Sequence, residues 1–167
     1  MRAACCSCGQ LQVTTTGEPV RISVCHCLAC QRRTGSAFGV QARFPRDAVT
    51  MTGRGNRYVR TADSGKTVTS TFCPECGSTV YYELELVPGF VGIPVGGFAD
   101  PDFPAPRISI YDAQQHGWVI LAPGVANTTN LRSRKAAFNN GLSQFSSDGA
   151  GEKRNDFTID GIANVAA

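Results

Sequence analysis

The stretch VCHCLACQRRTGS occupies residues 24–36 and places Cys25, Cys27 and Cys30 at C-x-C-x-x-C spacing. Thiolates this close in sequence can converge on one zinc ion, because Zn–S bonds of about 2.3 Å and tetrahedral geometry suit short turns of backbone. A tetrahedral ion needs four ligands, whereas this stretch offers three sulfurs. Either a fourth ligand comes from elsewhere in the chain, which makes a structural site, or the fourth position stays open, which makes a candidate catalytic site.

Length and charge narrow the class of protein. The chain has 167 residues, about the length of one domain with a genuine core. Its formal net charge of +3 is modest and its basic residues are scattered, so nothing in the charge pattern indicates nucleic-acid binding. The first residues lack the apolar region of a signal peptide, and no apolar run approaches the roughly 18 residues of a membrane span. These features predict a soluble, cytoplasmic protein that binds neither nucleic acid nor a membrane.

Eight cysteines in such a chain need an explanation. An even number can indicate disulfides, but a reducing compartment and close-set pairs of cysteines favour metal. Cys6 and Cys8 form one such pair, and Cys73 and Cys76 form another. Two pairs from distant segments predict a closed four-sulfur zinc site that ties the N-terminal strand to the middle of a sheet.

That partition leaves Cys25, Cys27 and Cys30 together, with Cys5 unassigned. An alternative makes Cys5 the fourth ligand of the second cluster, which would close both sites. Cys5 adjoins Cys6, however, and neighbouring side chains in an extended chain point to opposite sides. The sequence therefore favours an open three-sulfur site and two zinc ions per chain.

Other polar residues accompany the central motif. For His26 the simplest interpretation is a partly exposed side chain that flanks the metal, and the alternatives are proton transfer near neutral pH or support of a ligand. Arg32 and Arg33 either bind a substrate carboxylate through their planar guanidinium groups or cover apolar neighbours at the surface. Residues 34–36, Thr-Gly-Ser, predict a turn.

Alternation of apolar and polar residues, the period of a half-buried strand, recurs through the chain before residue 120. It is clearest in residues 79–86, and no segment of this part has the period of a long helix. The pattern predicts a mainly β fold with little helix. Phe98, Tyr111 and Trp118 are expected in its core rather than in a substrate platform.

The composition changes after residue 122. The remainder has no cysteine, is rich in Asn, Ser and Gly, and contains few aromatic residues. We therefore expect a zinc-binding β domain at residues 1–122 and a loosely ordered C-terminal tail at residues 123–167.

The three cysteine motifs, taken in order, resemble those of a known family. They read CxCG at residues 6–9, CHCxxCxRRxG at residues 25–35 and FCxxCGS at residues 72–78. They are similar to the motifs of the glutathione-dependent formaldehyde-activating enzyme family, which includes the relatives of centromere protein V. The resemblance covers roughly residues 5–120.

This resemblance implies a β-tent of antiparallel sheets, stapled by zinc. It implies a structural zinc bound by the four cysteines of the two separated pairs and a catalytic zinc bound by Cys25, Cys27 and Cys30. It also implies an activity, the joining of formaldehyde to glutathione to form S-hydroxymethylglutathione, a carbon–sulfur bond reaction classed with the lyases.

An open zinc position could bind the glutathione sulfur and lower its pKa, or polarise the aldehyde oxygen. Three thiolates have already donated charge to the ion, so we favour binding and orientation of the thiol. Arg32, Arg33 and Arg43 are the nearest cations for the two carboxylates of glutathione. One alternative is a non-catalytic binding module stabilised by zinc. Another, thiol redox chemistry at residues 73–76, lacks the βαβ pattern of a thioredoxin-like motif.

Overall fold

The computed structural model describes residues 1–127. In this part of the chain short strands predominate, which confirms the prediction of a mainly β fold with little helix. Helix α1 spans Leu28–Thr34, and short turns of 3₁₀-helix span Arg46–Ala48, Val95–Phe98 and Asp112–Gln114. The strands, in chain order, are β1 (Arg2–Cys5), β2 (Gln12–Thr15), β3 (Arg21–Cys25), β4 (Gly39–Pro45), β5 (Val49–Thr52), β6 (Asn56–Thr61), β7 (Thr67–Phe72), β8 (Thr79–Leu84), β9 (Phe90–Pro94), β10 (Ile108–Ile110) and β11 (Ala126–Asn127).

The strands form a small sheet and a large one. The small sheet has the order β1-β2-β5, and the large sheet has the order β11-β10-β3-β4-β9-β8-β7-β6. The strand pairs are antiparallel, as expected, except that β10 runs parallel to both β3 and β11. Parallel neighbours need a long connection, and here most of the large sheet lies between β3 and β10 in sequence.

The core lies between the two sheets. Alternate residues of β4 and β9 point into it, so that Ala42, Phe44, Val91 and Ile93 are fully buried. The small sheet contributes Val13 of β2 to the same cluster, along with other apolar residues. The alternation of apolar and polar residues in the sequence therefore reflects the burial of the sheet face that points into the core.

The opposite face of the large sheet, here called the cavity face, is more polar. Residues that lie directly opposite one another across neighbouring strands share a face of the sheet. One such row, here called the central row, runs from β3 to β6 through Arg21, Arg43, Gly92, Tyr82, Ser70 and Tyr58. Three residues of this row, Tyr82, Ser70 and Tyr58, line the cavity described below.

Helix α1 is held at both ends by the central motif. The Cys27 sulfur accepts a hydrogen bond from the backbone N–H of Cys30 and caps the N-terminus. Gly35 ends the helix in the left-handed conformation, with φ of 65°, and donates its N–H to the Gln31 carbonyl at 2.8 Å. This C-cap is the turn predicted at residues 34–36.

The predicted C-terminal tail, residues 123–167, lies mostly outside the described residues. Of its described part, Ala126 and Asn127 form β11 and pair with Ile108 and Ser109 of β10. The boundary at residue 122 stays a prediction. No helix within residues 1–127 combines the length and the apolar character needed to cross a bilayer.

Candidate metal centre and cavity

Four sulfurs from distant segments meet at one end of the molecule. The Sγ atoms of Cys6, Cys8, Cys73 and Cys76 all lie within 4.8 Å of one another. Cys8 Sγ is 3.5 Å from Cys6 Sγ and 3.6 Å from Cys73 Sγ. Four ligands at about 2.3 Å from a tetrahedral zinc ion are about 3.8 Å apart, so the spacing of these sulfurs suits one ion.

Each half of this cluster is a tight turn closed by glycine. Gly9 donates its N–H to the Cys6 carbonyl, and Gly77 donates its N–H to the Cys73 carbonyl, both at 2.9 Å. The two glycines have φ of 79° and 75°, which side chains with a Cβ rarely adopt. The turns bring both cysteines of each pair to the same side of the backbone.

Two N–H groups point at sulfurs of this cluster. The Leu11 backbone N–H donates to Cys6 Sγ at 3.3 Å, and the Gln10 side-chain amide donates to Cys73 Sγ at 2.9 Å. Hydrogen bonds of this kind stabilise a thiolate over a thiol, and the thiolate is the form that binds metal. The donors therefore fit a zinc ligand set as well as the spacing does.

The second cluster has three sulfurs. The Sγ atoms of Cys25, Cys27 and Cys30 all lie within 4.8 Å of one another, and no other Cys, His, Asp or Glu of residues 1–127 joins them. Cys25 and Cys27 are buried, whereas Cys30 on helix α1 is half-buried. Cys5 is exposed and belongs to neither cluster, while the adjacent Cys6 is buried. The alternative with Cys5 as a fourth ligand is therefore not supported.

Arg33 lies beside the open cluster. The pKa of the Cys30 thiol is lowered, because Cys25 and Cys27 donate hydrogen bonds to it and the Arg33 guanidinium lies next to it. Gly39 makes room for this arginine, since a Cβ there would be 3.1 Å from Arg33 Nη2. That nitrogen is buried and has no hydrogen-bond partner in the structure. A donor is thus available at the edge of the three-sulfur site.

A cavity of about 480 Å³ opens next to Cys30, a size within the usual range for small-molecule sites. Helix α1 contributes Arg32 and Arg33 to its wall, and the cavity face contributes Tyr82 and, from β6, Arg60. Among the described residues that line it, none is an aspartate or glutamate. The cavity therefore suits an anionic ligand that reaches the open cluster.

The structure brings together most of the residues singled out from the sequence, and it adds others. Arg32 is exposed and Arg33 half-buried, and both border the cavity. Gln41, Tyr82 and Arg60 also line it, from three different strands. The only sequence signal for these three residues is the alternation within each strand. Alternation predicts which residues of one strand share a face, but it does not predict which strands are neighbours.

Two predictions about individual side chains are wrong. His26 is fully buried rather than partly exposed, because β10 covers it. Its backbone N–H donates a hydrogen bond to the Ile110 carbonyl at 3.0 Å, and the centre of its ring lies 5.9 Å from the centre of the Phe38 ring. Burial lowers the pKa of the imidazole. Trp118, expected in the core, is 71% exposed, since it lies between the 3₁₀-helix at Asp112–Gln114 and β11, where the described residues form no strand.

Phe98 and Tyr111, the other two aromatic residues expected in the core, are less exposed than Trp118. Phe98 is buried in the main core, as predicted. Tyr111 is half-buried and packs against the group formed by Cys25, Cys27 and Ile110. It therefore supports the open cluster rather than the main core.

Comparison with known proteins gives a consistent result. A family model described as glutathione-dependent formaldehyde-activating enzyme matches residues 1–114. Three proteins named "Putative glutathione-dependent formaldehyde-activating enzyme" are similar to this chain. The protein from Pyrenophora teres f. teres is 25% identical over 66% of this chain, that from Podospora anserina is 25% identical over 50%, and that from Penicillium rubens is 26% identical over 53%. The aligned regions span 62%, 38% and 46% of those relatives' own lengths.

A crystal structure of a Rhodobacter sphaeroides protein is also similar in part. It aligns with a TM-score of 0.47 at 17% identity, over 59% of this chain and 91% of that chain.

Proposed function

Because this chain belongs to the glutathione-dependent formaldehyde-activating enzyme family, we propose that it is a zinc-dependent carbon–sulfur lyase that joins a small thiol, such as glutathione, to formaldehyde. The observation that carries the proposal is an open cluster of three thiols, Cys25, Cys27 and Cys30, at the edge of a cavity bordered by arginines. A closed four-sulfur cluster elsewhere in the fold leaves this one free for chemistry.

In the proposed reaction a carbon–sulfur bond forms while the carbonyl π bond of formaldehyde breaks. The thiol gives up its proton, and the former carbonyl oxygen gains one. Cys25, Cys27 and Cys30 would hold a zinc ion through their three sulfurs, and the free coordination position of that ion would bind and orient the thiol sulfur. The reverse reaction breaks the carbon–sulfur bond without water as a reactant, which is why the activity is classed as a lyase.

The arginines of helix α1 supply the binding of the substrate. Arg33 is fixed beside Cys30 with one nitrogen unpaired, and its Cζ lies 5.9 Å from the centre of the Tyr82 ring. Arg32 borders the same cavity from the solvent side. Guanidinium groups bind carboxylates through two parallel hydrogen bonds, so this pair suits a carboxylate of a thiol such as glutathione.

The proposal is tested with the full chain in which cobalt replaces zinc, because the ligand-field spectrum of cobalt responds to its fourth ligand. We expect glutathione and 2-mercaptoethanol to change the spectrum of the parent protein, and neither to change that of a variant lacking Cys25, Cys27 and Cys30. Arg33→Met should weaken the response to glutathione about tenfold and leave the response to 2-mercaptoethanol unchanged, since only glutathione carries carboxylates.

The chemistry itself is followed by exchange NMR between labelled formaldehyde and its glutathione adduct. The parent protein should accelerate the exchange, and the triple-cysteine variant should not. A cobalt spectrum indifferent to every thiol, with no acceleration of exchange, would instead indicate a zinc-stabilised binding module.

A further inference from the structure

Two arginines lie directly opposite each other on the cavity face. Arg21 of β3 pairs with Arg43 of β4 in the register of the large sheet, so their side chains leave the same face side by side. Like charges in this position are destabilising. This cost indicates that the two arginines have a function other than packing.

Within residues 1–127, the two guanidinium groups also lack hydrogen-bond and ion-pair partners. Arg21 Nε and Nη2 are buried and make no hydrogen bond to any of the described residues. Within residues 1–127, the five ion pairs involve other cations and leave out Arg21 and Arg43. Burial, together with the charge of Arg43, lowers the pKa of Arg21 to about 10. Buried donors without acceptors are costly, and an anion bound between the two groups would remove that cost.

Tyr82 links this pair to the cavity. Gly92 separates Arg43 from Tyr82 in the central row, and a Cβ on Gly92 would come within 2.5 Å of Tyr82 Oη. The phenol thus lies across the glycine, next to Arg43. Its other side faces Arg33 and the cavity. The hydroxyl can donate a third hydrogen bond to a group held by the arginines.

We propose that Arg21, Arg43 and Tyr82 form an oxyanion subsite that binds a carboxylate or phosphate group of a small ligand. Arg21 and Cys25 lie on the same face of β3, four residues or about 13 Å apart at the usual rise of a strand. The oxyanion is therefore either a free anion or the distal carboxylate of a ligand whose thiol reaches the open cluster. The subsite does not depend on the proposed reaction, because its residues are distinct from the cysteines.

The test measures binding of inorganic phosphate and of S-methylglutathione to the zinc-loaded full chain, at matched ionic strength so that general screening is constant. S-methylglutathione carries both carboxylates but has no free thiol. Binding is read from ³¹P line broadening and its displacement, and from the shift in melting temperature. The variants are Arg21→Met and Arg43→Met. The control is Arg57→Met, which removes the same charge from an exposed residue of β6 that does not line the cavity.

We expect the parent and Arg57→Met to bind at least one of the two anions. Arg21→Met and Arg43→Met should each bind about ten- to a hundredfold more weakly. Phosphate alone would identify a free anion, whereas S-methylglutathione that displaces phosphate would identify the carboxylate of a substrate. Without an anion, both Met variants should melt no lower than the parent, since each removes an unpaired charge. This outcome separates anion binding from a structural role.

If a Met variant does not fold, the Lys variant at the same position replaces it, and it should bind more weakly because lysine lacks the planar fork. The proposal is overturned if the parent binds neither anion, or if the variants bind as tightly as Arg57→Met. The response of the cobalt-substituted protein to 2-mercaptoethanol reports on the thiol position alone. Failure of the subsite and failure of the proposed function are therefore distinguishable.

Discussion

Replacing one cysteine in each cluster separates a site that joins distant strands from one that is local in sequence. The variants are Cys73→Ser and Cys27→Ser, in the zinc-loaded full chain. Both side chains are buried, with exposures of 0% and 4%, so the loss of sulfur packing is matched. What differs is the length of chain that each zinc site closes.

The magnitude follows from the loops. Cys73 is 65 residues from Cys8, its neighbour in the four-sulfur cluster, whereas Cys27 is three residues from Cys30. Treated as cross-links of the unfolded chain, loops of these lengths differ in closure entropy by about 2–3 kcal/mol, with about 4 kcal/mol for the long loop. For a chain of this size that difference corresponds to a melting temperature about 10 °C lower for Cys73→Ser than for Cys27→Ser.

The assay is thermal unfolding followed by circular dichroism, with the zinc content of each variant measured in parallel. Cys5→Ser is the control, because Cys5 is exposed and outside both clusters, and it should melt with the parent. Equal losses of stability, or a larger loss for Cys27→Ser, would refute the assignment of a structural and an open site.

Three further predictions test the metal content, the cavity face and the domain boundary. Metal analysis of the purified protein should find two zinc ions per chain, and one zinc ion or an iron–sulfur absorption band would contradict the partition of the cysteines. Gly92→Ala should lower the free energy of unfolding by about 1–3 kcal/mol, because a Cβ at Gly92 collides with the Tyr82 ring. Gly96→Ala, where a Cβ meets nothing within 4 Å, is its control, and equal melting temperatures would disprove the close approach. A chain ending at residue 127 should keep its fold and both zinc ions, whereas precipitation on truncation would show that residues 128–167 cover apolar surface.

The cysteine clusters could be predicted from the sequence because much of their geometry is local. Spacings of one or two residues between cysteines, followed by Gly9 and Gly77, specify turns that present two sulfurs on one side. Strand positions could likewise be predicted, since the alternation of apolar and polar residues in β4 reflects burial of one face. These features depend on residues within a few positions of one another.

Short elements without such a signal were missed. Helix α1 has seven residues, buries none of them fully, and is capped by a cysteine sulfur rather than by one of the usual N-cap residues. Strand β1 has one buried residue, Ala4, and therefore no alternation to detect. Strand β1 is stabilised by pairing with β2, and helix α1 is stabilised by its cap at Cys27, which belongs to the three-sulfur cluster.

The cavity face was decided by the tertiary structure alone. Arg21, Arg43, Gly92 and Tyr82 are far apart in sequence and become a row only through the register of four strands. The same holds for His26, which is buried because β10 returns to run parallel to β3. Strand order and register depend on packing between distant segments. The alternation of residues in the sequence predicts which side chains of a strand share a face of the sheet, but it does not predict which strand lies beside it.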